Sequence, residues 1–361
     1  MNRRKFLAAG GAGLAASTIA APAIAQSSPT LSWRLTASWP KSLDITFGGA
    51  EYFAQRVSDL TDGKFQIRCF AAGELVPGLQ VLDAVQNGTV EMGHTVSYYN
   101  VGKDPTFTFD ATVPFGMNFR GMNAWLRAGG GQELINDFFK DYNIIPIPCG
   151  NTGTQAGGWW RKEIKTVDDL KGVKFRIGGW AGQVLIKLGV VPQQLAGGDI
   201  YPALEKGTID AAEWIGPYDD EKLGFYKIAK YYYSPGWWEG QTNLSLYVNL
   251  TQWNTLSKSY QAIVQTAAAE TNTWVIGRYD TENPQALKRL IAGGTQLRRF
   301  SPAIMEACYN AAQQLYGEES ARNPKFKKIY DAWKPFLDTQ DDWFRVEEQP
   351  FDNFMASRKS S

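Results

Sequence analysis

Histidine is almost absent from this sequence, because His94 is the only one among 361 residues. A zinc site with two histidines is therefore excluded, and any Ser-His or Cys-His catalysis would have to use that single residue. The chain after its N-terminal leader contains no P-loop, HExxH, GxSxG or strand-bound GxGxxG motif. We expect His94 to be a hydrogen-bonded residue at a strand end and not a catalyst.

Cysteine is also scarce, and the three that occur, Cys69, Cys149 and Cys308, have no CxxC or zinc-type spacing. An odd number cannot all pair in an oxidising compartment. A chain of this size can build its cores without covalent crosslinks. We therefore expect the cysteines to be buried, apolar and free.

Excess charge of either sign is lacking, since 37 basic residues face 36 acidic ones. Such a balance creates no electrostatic field for nucleic acid or anionic lipid, so we expect no nucleic-acid partner. A length of 361 residues exceeds what one hydrophobic core usually holds. Two lobes are therefore expected.

The N-terminus reads as an export signal. Arg3 and Arg4 precede a weakly apolar Ala/Gly stretch, and Ala23-Ile24-Ala25 fits a cleavage site of small residues. The apolar run is too short and too rich in glycine to span a bilayer. We predict a twin-arginine signal peptide over residues 1–25, cleavage after Ala25, and a periplasmic protein.

Two segments repeat one pattern: AVQNGTVEMG at 84–93 and ALEKGTIDAA at 203–212. In each, a short amphipathic helix runs through a glycine, Gly88 or Gly207, into an apolar strand. The glycine suits a left-handed helix end, and the β-branched residues after it suit a strand. We expect both strands to end at a central cleft, the second continuing into Glu213 and Trp214.

The alternation of strands and helices indicates an α/β fold with two lobes and a hinge, like a type II periplasmic binding protein. We assign residues 26–152 and about 243–284 to lobe I, and residues 153–242 and about 285–361 to lobe II. Residues 252–290 predict a long helix that crosses between the lobes. The aromatic C-terminal helices are expected either to pack on lobe II or to form a surface for a partner.

Arg176 is the candidate anion anchor. It ends a predicted strand beside two glycines, where its planar guanidinium can bind a carboxylate through two hydrogen bonds. The alternative from the residues alone is a structural salt bridge to a neighbour such as Asp168 or Asp169.

Four longer motifs carry a family resemblance: LAGGDIYPALEKGTIDAAEWIGPYDDEKLGFYK, GNTGTQAGGWW, KFRIGG and PGWWEG. Together with KSLDITFGGAEYF and AAGELVPGLQVLDAVQNGTVE they resemble the DctP-type solute receptors of tripartite ATP-independent periplasmic (TRAP) transporters. The resemblance covers essentially the whole chain after residue 25 and is nearest to the branch that binds 2-oxo acids such as pyruvate.

The resemblance implies a receptor without enzymatic activity that delivers a small carboxylate to membrane permease subunits. It implies that Arg176 grips the substrate carboxylate and that Na⁺ or Ca²⁺ bridges substrate and protein. Carboxylate, amide and carbonyl oxygens suit such hard cations. The matching cation ligands are Gln155, Glu213, the Trp214 carbonyl and Glu239. The expected substrate contacts are Arg176, Asn151, Tyr99, Asn100, Gln155 and Gln241. A homodimer through the C-terminal helix is possible.

Several alternatives stay open at this point. The acid could be lactate or another 2-hydroxy acid, a longer branched 2-oxo acid, or an aromatic carboxylate. In a different class, a periplasmic sugar-acting enzyme would use Glu213 and Glu239. A ligandless assembly protein would bind none of these compounds.

Overall fold

A computed structural model of the protein describes residues 29–358. The predicted signal peptide and its cleavage site lie outside the described residues. Between residues 29 and 358, no helix is long and apolar enough to cross a membrane.

The first part of the chain alternates strands and helices, as predicted. Its elements are β1 (Leu31–Ala37), α1 (Thr46–Leu60), β2 (Phe65–Phe70), α2 (Val81–Gln86), β3 (Met92–Thr95), α3 (Thr108–Ala111), α4 (Phe119–Ala128), α5 (Gly131–Phe139) and β4 (Ile144–Asn151). Strand β1 pairs in parallel with β2 on one side and with β3 on the other.

The second part repeats the alternation with shorter strands. Its elements are β5 (Trp159–Trp160), β6 (Lys174–Arg176), α6 (Gly179–Ile186), β7 (Val191–Gln193), α7 (Gly197–Glu205), β8 (Ala211–Ala212), α8 (Pro217–Leu223) and β9 (Tyr231–Ser234). Strand β6 pairs in parallel with both β7 and β8.

The last part returns to the first sheet and then becomes mostly helical. Its elements are β10 (Asn243–Asn249), α9 (Leu250–Thr255), α10 (Lys258–Ala292), β11 (Gln296–Arg299), α11 (Pro302–Arg322), α12 (Pro324–Val346) and α13 (Glu348–Arg358). The long helix α10 packs against α1 and β4 of the first lobe and α8 of the second. The prediction of a lobe-spanning helix and a helical C-terminus is confirmed.

The two sheets share one topology. The first has the order β2-β1-β3-β10-β4 and the second the order β7-β6-β8-β5-β9-β11. In each, the fourth strand is antiparallel to both of its neighbours: β10 in the first sheet and β5 in the second. The second sheet has a sixth strand, β11, which pairs with β9 at its edge. The chain passes directly from β4 of the first sheet to β5 of the second, and from β9 of the second sheet to β10 of the first. The two connecting segments, residues 152–158 and 235–242, form the hinge. The two-lobed α/β fold with a hinge is confirmed.

The repeat occupies equivalent places, leading into β3 and β8. Gly88 and Gly207 both have a φ of 71°, the predicted left-handed conformation. The prediction that the strands begin right after these glycines is wrong, because β3 starts at Met92 and β8 at Ala211. In the first copy, the N–H groups of Thr89 and Val90 both point to the Ala84 carbonyl and close the helix end. These N–H groups therefore cannot donate hydrogen bonds to a neighbouring strand.

The C-terminal helices contact both lobes. Helix α11 packs against α6, whereas α12 packs against α4 and α5. The Trp333 ring lies 6.0 Å from that of Phe109 in α3. The expectation that the C-terminal aromatic residues pack on the second lobe is therefore wrong for Trp333. Trp343, Phe351 and Phe354 are 49–65% exposed.

We predict that Gly207→Ala lowers the free energy of unfolding by about 1–2 kcal/mol, because an alanine is disfavoured in the left-handed conformation. Space is not limiting, since a Cβ added at this position would meet no heavy atom within 4 Å. Gly317→Ala is the matched control: Gly317 lies inside α11, also with nothing within 4 Å, and alanine favours helix there. Thermal unfolding of both variants measures the effect. Equal changes in Tm would contradict backbone strain at Gly207.

Candidate functional site

The pairing of β6 with β8 brings an arginine beside a glutamate. Arg176 is opposite Ala212 in the register, and the Glu213 N–H donates to the Arg176 carbonyl at 3.1 Å. Both residues thus lie at the carboxyl ends of parallel strands, where α/β folds commonly bind ligands. Each side chain is 1% exposed.

The Arg176 guanidinium is partly satisfied by protein groups. Its Nη1 donates to Glu213 Oε1 at 2.5 Å and to the Glu213 carbonyl at 2.6 Å, and its Nε donates to the Leu195 carbonyl at 3.1 Å. Its Nη2 is buried and has no hydrogen-bond partner. A buried cationic donor without a partner is costly, so this nitrogen is chemically suited to an anionic partner.

The alternative of a structural salt bridge is realised with Glu213, and not with Asp168 or Asp169. Asp168 pairs with Lys171 at 2.7 Å. Asp169 caps the turn that starts at Thr166, accepting from its N–H at 2.8 Å. Both acids are bound by groups near them in the sequence, whereas β6 carries Arg176 to the opposite end of the strand.

Three oxygens of the predicted cation ligands are buried without a hydrogen-bond partner: Gln155 Oε1, Glu213 Oε2 and Glu239 Oε2. Their backbone segments are neighbours, because the Gln155 N–H donates to the Glu239 carbonyl at 3.0 Å and the Ala156 N–H donates to the Ile215 carbonyl at 3.0 Å. Oxygen donors of this kind fit Na⁺ or Ca²⁺.

Among the described residues, no group of three or more His, Cys, Asp and Glu could hold a metal. A cation here would therefore need amide or carbonyl oxygens in addition to the two glutamates. Trp214 directly follows Glu213, and the Arg176 guanidinium lies over its ring at 5.1 Å from the ring centre. The Trp214 indole therefore supports the arginine from one face.

Burial dominates the titration of the two glutamates. It raises the pKa of Glu213 to about 7, even though the Arg176 charge acts in the opposite direction. It also raises the pKa of Glu239 well above its usual range, and the nearby Glu213 charge adds to that effect. The cluster holds one guanidinium against two carboxyl groups, so a proton or a bound cation is needed to neutralise it.

The first lobe contributes a tyrosine pair from the turn at Ser97–Asn100. The Tyr99 carbonyl accepts from Gln194 Nε2 at 2.9 Å across the cleft. The Tyr98 ring packs on Gly178 so closely that a Cβ there would lie 2.6 Å from a ring carbon. Sequence reasoning identified Tyr99 but missed Tyr98, whose hydroxyl interacts with the Glu239 carboxyl group and opposes the rise of its pKa.

The remaining predicted contacts are buried and already bonded to protein. Asn151 Nδ2 donates to Gln241 Oε1 at 2.6 Å, and Gln241 Nε2 donates to the Ala111 carbonyl at 2.8 Å. Asn100 Nδ2 makes a long 3.4 Å contact with the Ser97 carbonyl. None of the three lines the cavity described next. Their substrate contacts stay predictions.

A small cavity of about 10 Å³ lies between the lobes; Gln155 and Trp214 line it, whereas Arg176, Glu213 and Glu239 do not. Its lining combines predicted site residues with a mostly apolar wall: Trp39, Val96, Tyr98, Tyr99, Thr152, Gln155, Trp214, Ile215, Thr242 and Leu244. Sequence reasoning missed Trp39, although it comes soon after β1 ends. The rule that carboxyl ends of parallel strands face the cleft could have identified it.

His94 has the structural role expected of it. Its Nδ1 accepts from Trp39 Nε1 at 2.8 Å, which leaves the proton on Nε2 to be donated to the Cys149 carbonyl at 3.1 Å. All three cysteines are free, as predicted. Cys149 and Cys308 are buried and Cys69 is half-buried, and burial raises the pKa of the Cys69 thiol to about 12.

Comparison with known families decides the identity. The profile of the family described as "Bacterial extracellular solute-binding protein, family 7" (DctP) matches residues 36–323. The chain belongs to this family of extracytoplasmic solute receptors. The family consists of binding proteins and not of enzymes, which removes the sugar-acting enzyme from consideration.

Three relatives of this DctP receptor are similar to it over about nine tenths of the chain. A monocarboxylate 2-oxoacid-binding periplasmic protein of Nostoc sp. is 52% identical over 91% of this chain and 90% of its own length. A TRAP transporter solute binding protein of Bordetella bronchiseptica is 53% identical with a TM-score of 0.91, covering 92% of this chain and 99% of that one. Its crystal structure is a dimer of mixed occupancy with copurified calcium and picolinate in one active site.

A further TRAP solute binding protein, from Pseudoalteromonas atlantica, was solved with sodium and pyruvate bound. It is 37% identical with a TM-score of 0.87, covering 90% of this chain and 99% of that one. The DctP receptor described here therefore has the fold of proteins that hold a small carboxylic acid together with a cation.

We predict that His94 makes the receptor less stable as the pH falls. Burial lowers the pKa of His94 from 6.5 to about 4, so between these values the unfolded chain binds a proton that the folded chain does not. This contribution lowers the free energy of unfolding by roughly 1.4 kcal/mol for each pH unit below 6.5. His94→Asn keeps an acceptor for Trp39 Nε1 but does not titrate.

Thermal unfolding without ligand at pH 7.5 and pH 5 measures the effect. The Tm of His94→Asn relative to that of the wild type should rise on going to pH 5. The comparison of the two proteins cancels the pH-dependent contributions of the acidic residues that both contain. A relative Tm that does not move with pH would show that His94 is protonated in the fold or makes no difference to it.

Proposed function

We propose that this protein is the receptor of a TRAP transporter for a small 2-oxo monocarboxylate, such as pyruvate or 2-oxobutyrate. The acid is held with a bridging Na⁺ or Ca²⁺ in the cleft between the lobes and is delivered to the membrane permease subunits. Export by the twin-arginine route with cleavage after Ala25, and lobe boundaries near residues 152 and 243, are parts of the same proposal.

One observation carries the proposal: a buried, unpartnered guanidinium nitrogen lies in the same cluster as three buried, unpartnered oxygens. Arg176 Nη2 offers a hydrogen bond and a positive charge to a carboxylate. The free oxygens of Gln155, Glu213 and Glu239 offer ligands to a hard cation. A compound with a carboxylate and a neighbouring carbonyl oxygen offers an acceptor to Arg176 and an additional oxygen ligand to the cation. A bound cation supplies charge neutralisation between the acid and the glutamates.

Formal charge bears on the choice of cation. Arg176, two carboxylates and a bound monocarboxylate together leave two negative charges. Ca²⁺ neutralises both, whereas Na⁺ leaves one, which a proton on Glu213 or Glu239 removes. Burial raises the pKa of Glu213, which favours such a proton in the enclosed site. Binding with Na⁺ should accordingly be more sensitive to pH than binding with Ca²⁺.

Ligand size explains why the site is enclosed. An acid of about six heavy atoms gains at most roughly 9 kcal/mol at the usual ceiling for each atom. Useful affinity for it requires nearly complete burial and charge-assisted hydrogen bonds. The two lobes meet around this site through Tyr98 on Gly178 and Gln194 on Tyr99, which supports enclosure of a ligand by both.

The decisive test is calorimetric titration of ligand-stripped protein with pyruvate, 2-oxobutyrate, lactate and picolinate, with and without Na⁺ or Ca²⁺. We expect cation-dependent binding of the 2-oxo acids. Picolinate belongs in the series because the 53% identical relative holds it with calcium, and tighter binding of picolinate would favour an aromatic carboxylate. Arg176→Ala should weaken binding by about 2–5 kcal/mol, or at least 30-fold.

The matched control is Arg161→Ala, which removes an exposed arginine next to β5 and should leave the affinity unchanged. Because Arg176→Ala leaves Glu213 buried without its cation, the Tm of each variant is measured as well. Affinity within threefold of the wild type in a folded Arg176→Ala protein would place the anion anchor elsewhere. Absence of binding for every acid and cation would refute the proposed function.

We also propose a homodimer through the C-terminal helix. Trp343, Phe351 and Phe354 are 49%, 65% and 55% exposed, and exposed aromatic patches of this kind commonly mark interfaces. The 53% identical relative from Bordetella bronchiseptica crystallised as a dimer, which supports this assignment.

Sedimentation velocity tests the dimer. Phe351→Glu combined with Phe354→Glu should shift the protein from dimer to monomer, because buried unpaired charge opposes association. Ile186→Glu, at an exposed apolar residue of α6, is the control that should remain dimeric. A monomeric wild-type protein at tens of micromolar concentration would refute the dimer.

A further inference from the structure

We propose that Trp39, held in place by His94, is the wall that limits the carbon chain of the bound acid. This inference rests on the proposed function and deepens it, because it assigns the residue that discriminates short acids from long ones. It also gives a role to the single histidine of the chain, which the binding chemistry does not use.

The site is divided into a charged half and an apolar half. Arg176, Glu213 and Glu239 come from the second lobe and the hinge and do not line the cavity themselves. They adjoin it through Trp214, whose ring centre lies 5.1 Å from the Arg176 guanidinium, and through Gln155, whose N–H donates to the Glu239 carbonyl. The first lobe contributes Trp39 and Val96 to the cavity, and both are at most 2% exposed. A ligand whose carboxylate meets Arg176 therefore directs its remaining carbon atoms toward the first lobe.

Leu244 of β10 completes this apolar wall. Trp39 is its largest member, and aromatic neighbours surround it. Its ring is edge-on to Trp214 with 6.2 Å between ring centres, and it is tilted toward Tyr99 at 6.4 Å. The indole thus packs near aromatic rings of both lobes and forms part of the cavity wall.

The Trp39 ring is fixed by a hydrogen-bond chain. Its Nε1 donates to His94 Nδ1 at 2.8 Å, and His94 Nε2 donates to the Cys149 carbonyl in the neighbouring part of the sheet at 3.1 Å. Swinging the indole aside for a longer acid would leave a buried N–H without a partner, which is costly. The wall therefore resists displacement, and His94 acts as its positioning residue.

The first test is Trp39→Phe, which shortens the wall and removes Nε1. Calorimetry with Ca²⁺ measures the dissociation constants of pyruvate and of 4-methyl-2-oxopentanoate. We expect the affinity for the longer acid relative to pyruvate to rise by about tenfold or more, the usual effect of space for added carbons in an apolar pocket. Pyruvate binding should persist, because its carboxylate is held by the second lobe.

Trp33→Phe is the matched control. It is also a tryptophan-to-phenylalanine change, but it lies within strand β1. The Trp33 ring packs on Phe65 with 5.0 Å between ring centres and does not line the cavity. The ratio of the two affinities should remain at the wild-type value. A ratio that shifts equally in both variants would overturn the assignment of the wall to Trp39.

His94 is tested through the same ratio. His94→Leu removes the acceptor for Trp39 Nε1 and should move the ratio toward that of Trp39→Phe. His94→Asn keeps an acceptor and should restore the wild-type ratio. If His94 only stabilised the lobe, His94→Leu would lower the Tm without moving the ratio, and that result would overturn its positioning role.

Failure of this inference is distinguishable from failure of the proposed function. If the wild type binds neither acid, the proposed function is wrong and the inference falls with it. If the wild type binds acids and folded Trp39→Phe has an unchanged ratio, only the inference is wrong. Should Trp39→Phe not fold, Leu244→Ala opens the same wall from β10, and the ratio should rise in that variant too.

Discussion

The buried pairing of Arg176 with Glu213 is the interaction on which the site depends. Removing two charges from water costs several kcal/mol for each ion. The protein offsets this cost with a 2.5 Å charge-assisted hydrogen bond and a second bond to the Glu213 carbonyl. Glu239 adds a second buried carboxyl group, so the cluster is short of positive charge. That shortage and the unpaired Arg176 nitrogen are the basis on which we propose that the site binds a cation and an anion together.

The fold creates this cluster through strand topology. Strands β6 and β8 are short and parallel, so their carboxyl ends deliver Arg176 and Glu213 to one edge of the second sheet. The hinge segments bring Gln155 and Glu239 to the same edge. The first sheet has the equivalent strand order, and its edge supplies Trp39, Tyr98 and the rest of the apolar wall. The second lobe and the hinge therefore supply the charged side chains, and the first lobe supplies most of the apolar wall.

Much of this could be predicted from sequence because the signals are local. The repeat with Gly88 and Gly207 identified two equivalent helix ends, and the strand before two glycines identified Arg176. The direct pair with Glu213 could not be predicted, because it depends on the register of two strands that are only two or three residues long. Tyr98 was missed because its importance arises only where the two lobes meet, whereas Trp39 could have been identified from its position just after β1. The position of Trp333 depended likewise on how α12 folds back over the first lobe.

The most direct measurement is a crystal structure of the protein with pyruvate and Ca²⁺. The account predicts pyruvate carboxylate oxygens within hydrogen-bond distance of Arg176 Nη2, and a cation held by Gln155 Oε1 and by carboxylate oxygens of Glu213 and Glu239. It also predicts that the methyl group of pyruvate points toward Trp39. Pyruvate bound away from Arg176, or bound at Arg176 with no cation at the glutamates, would contradict it.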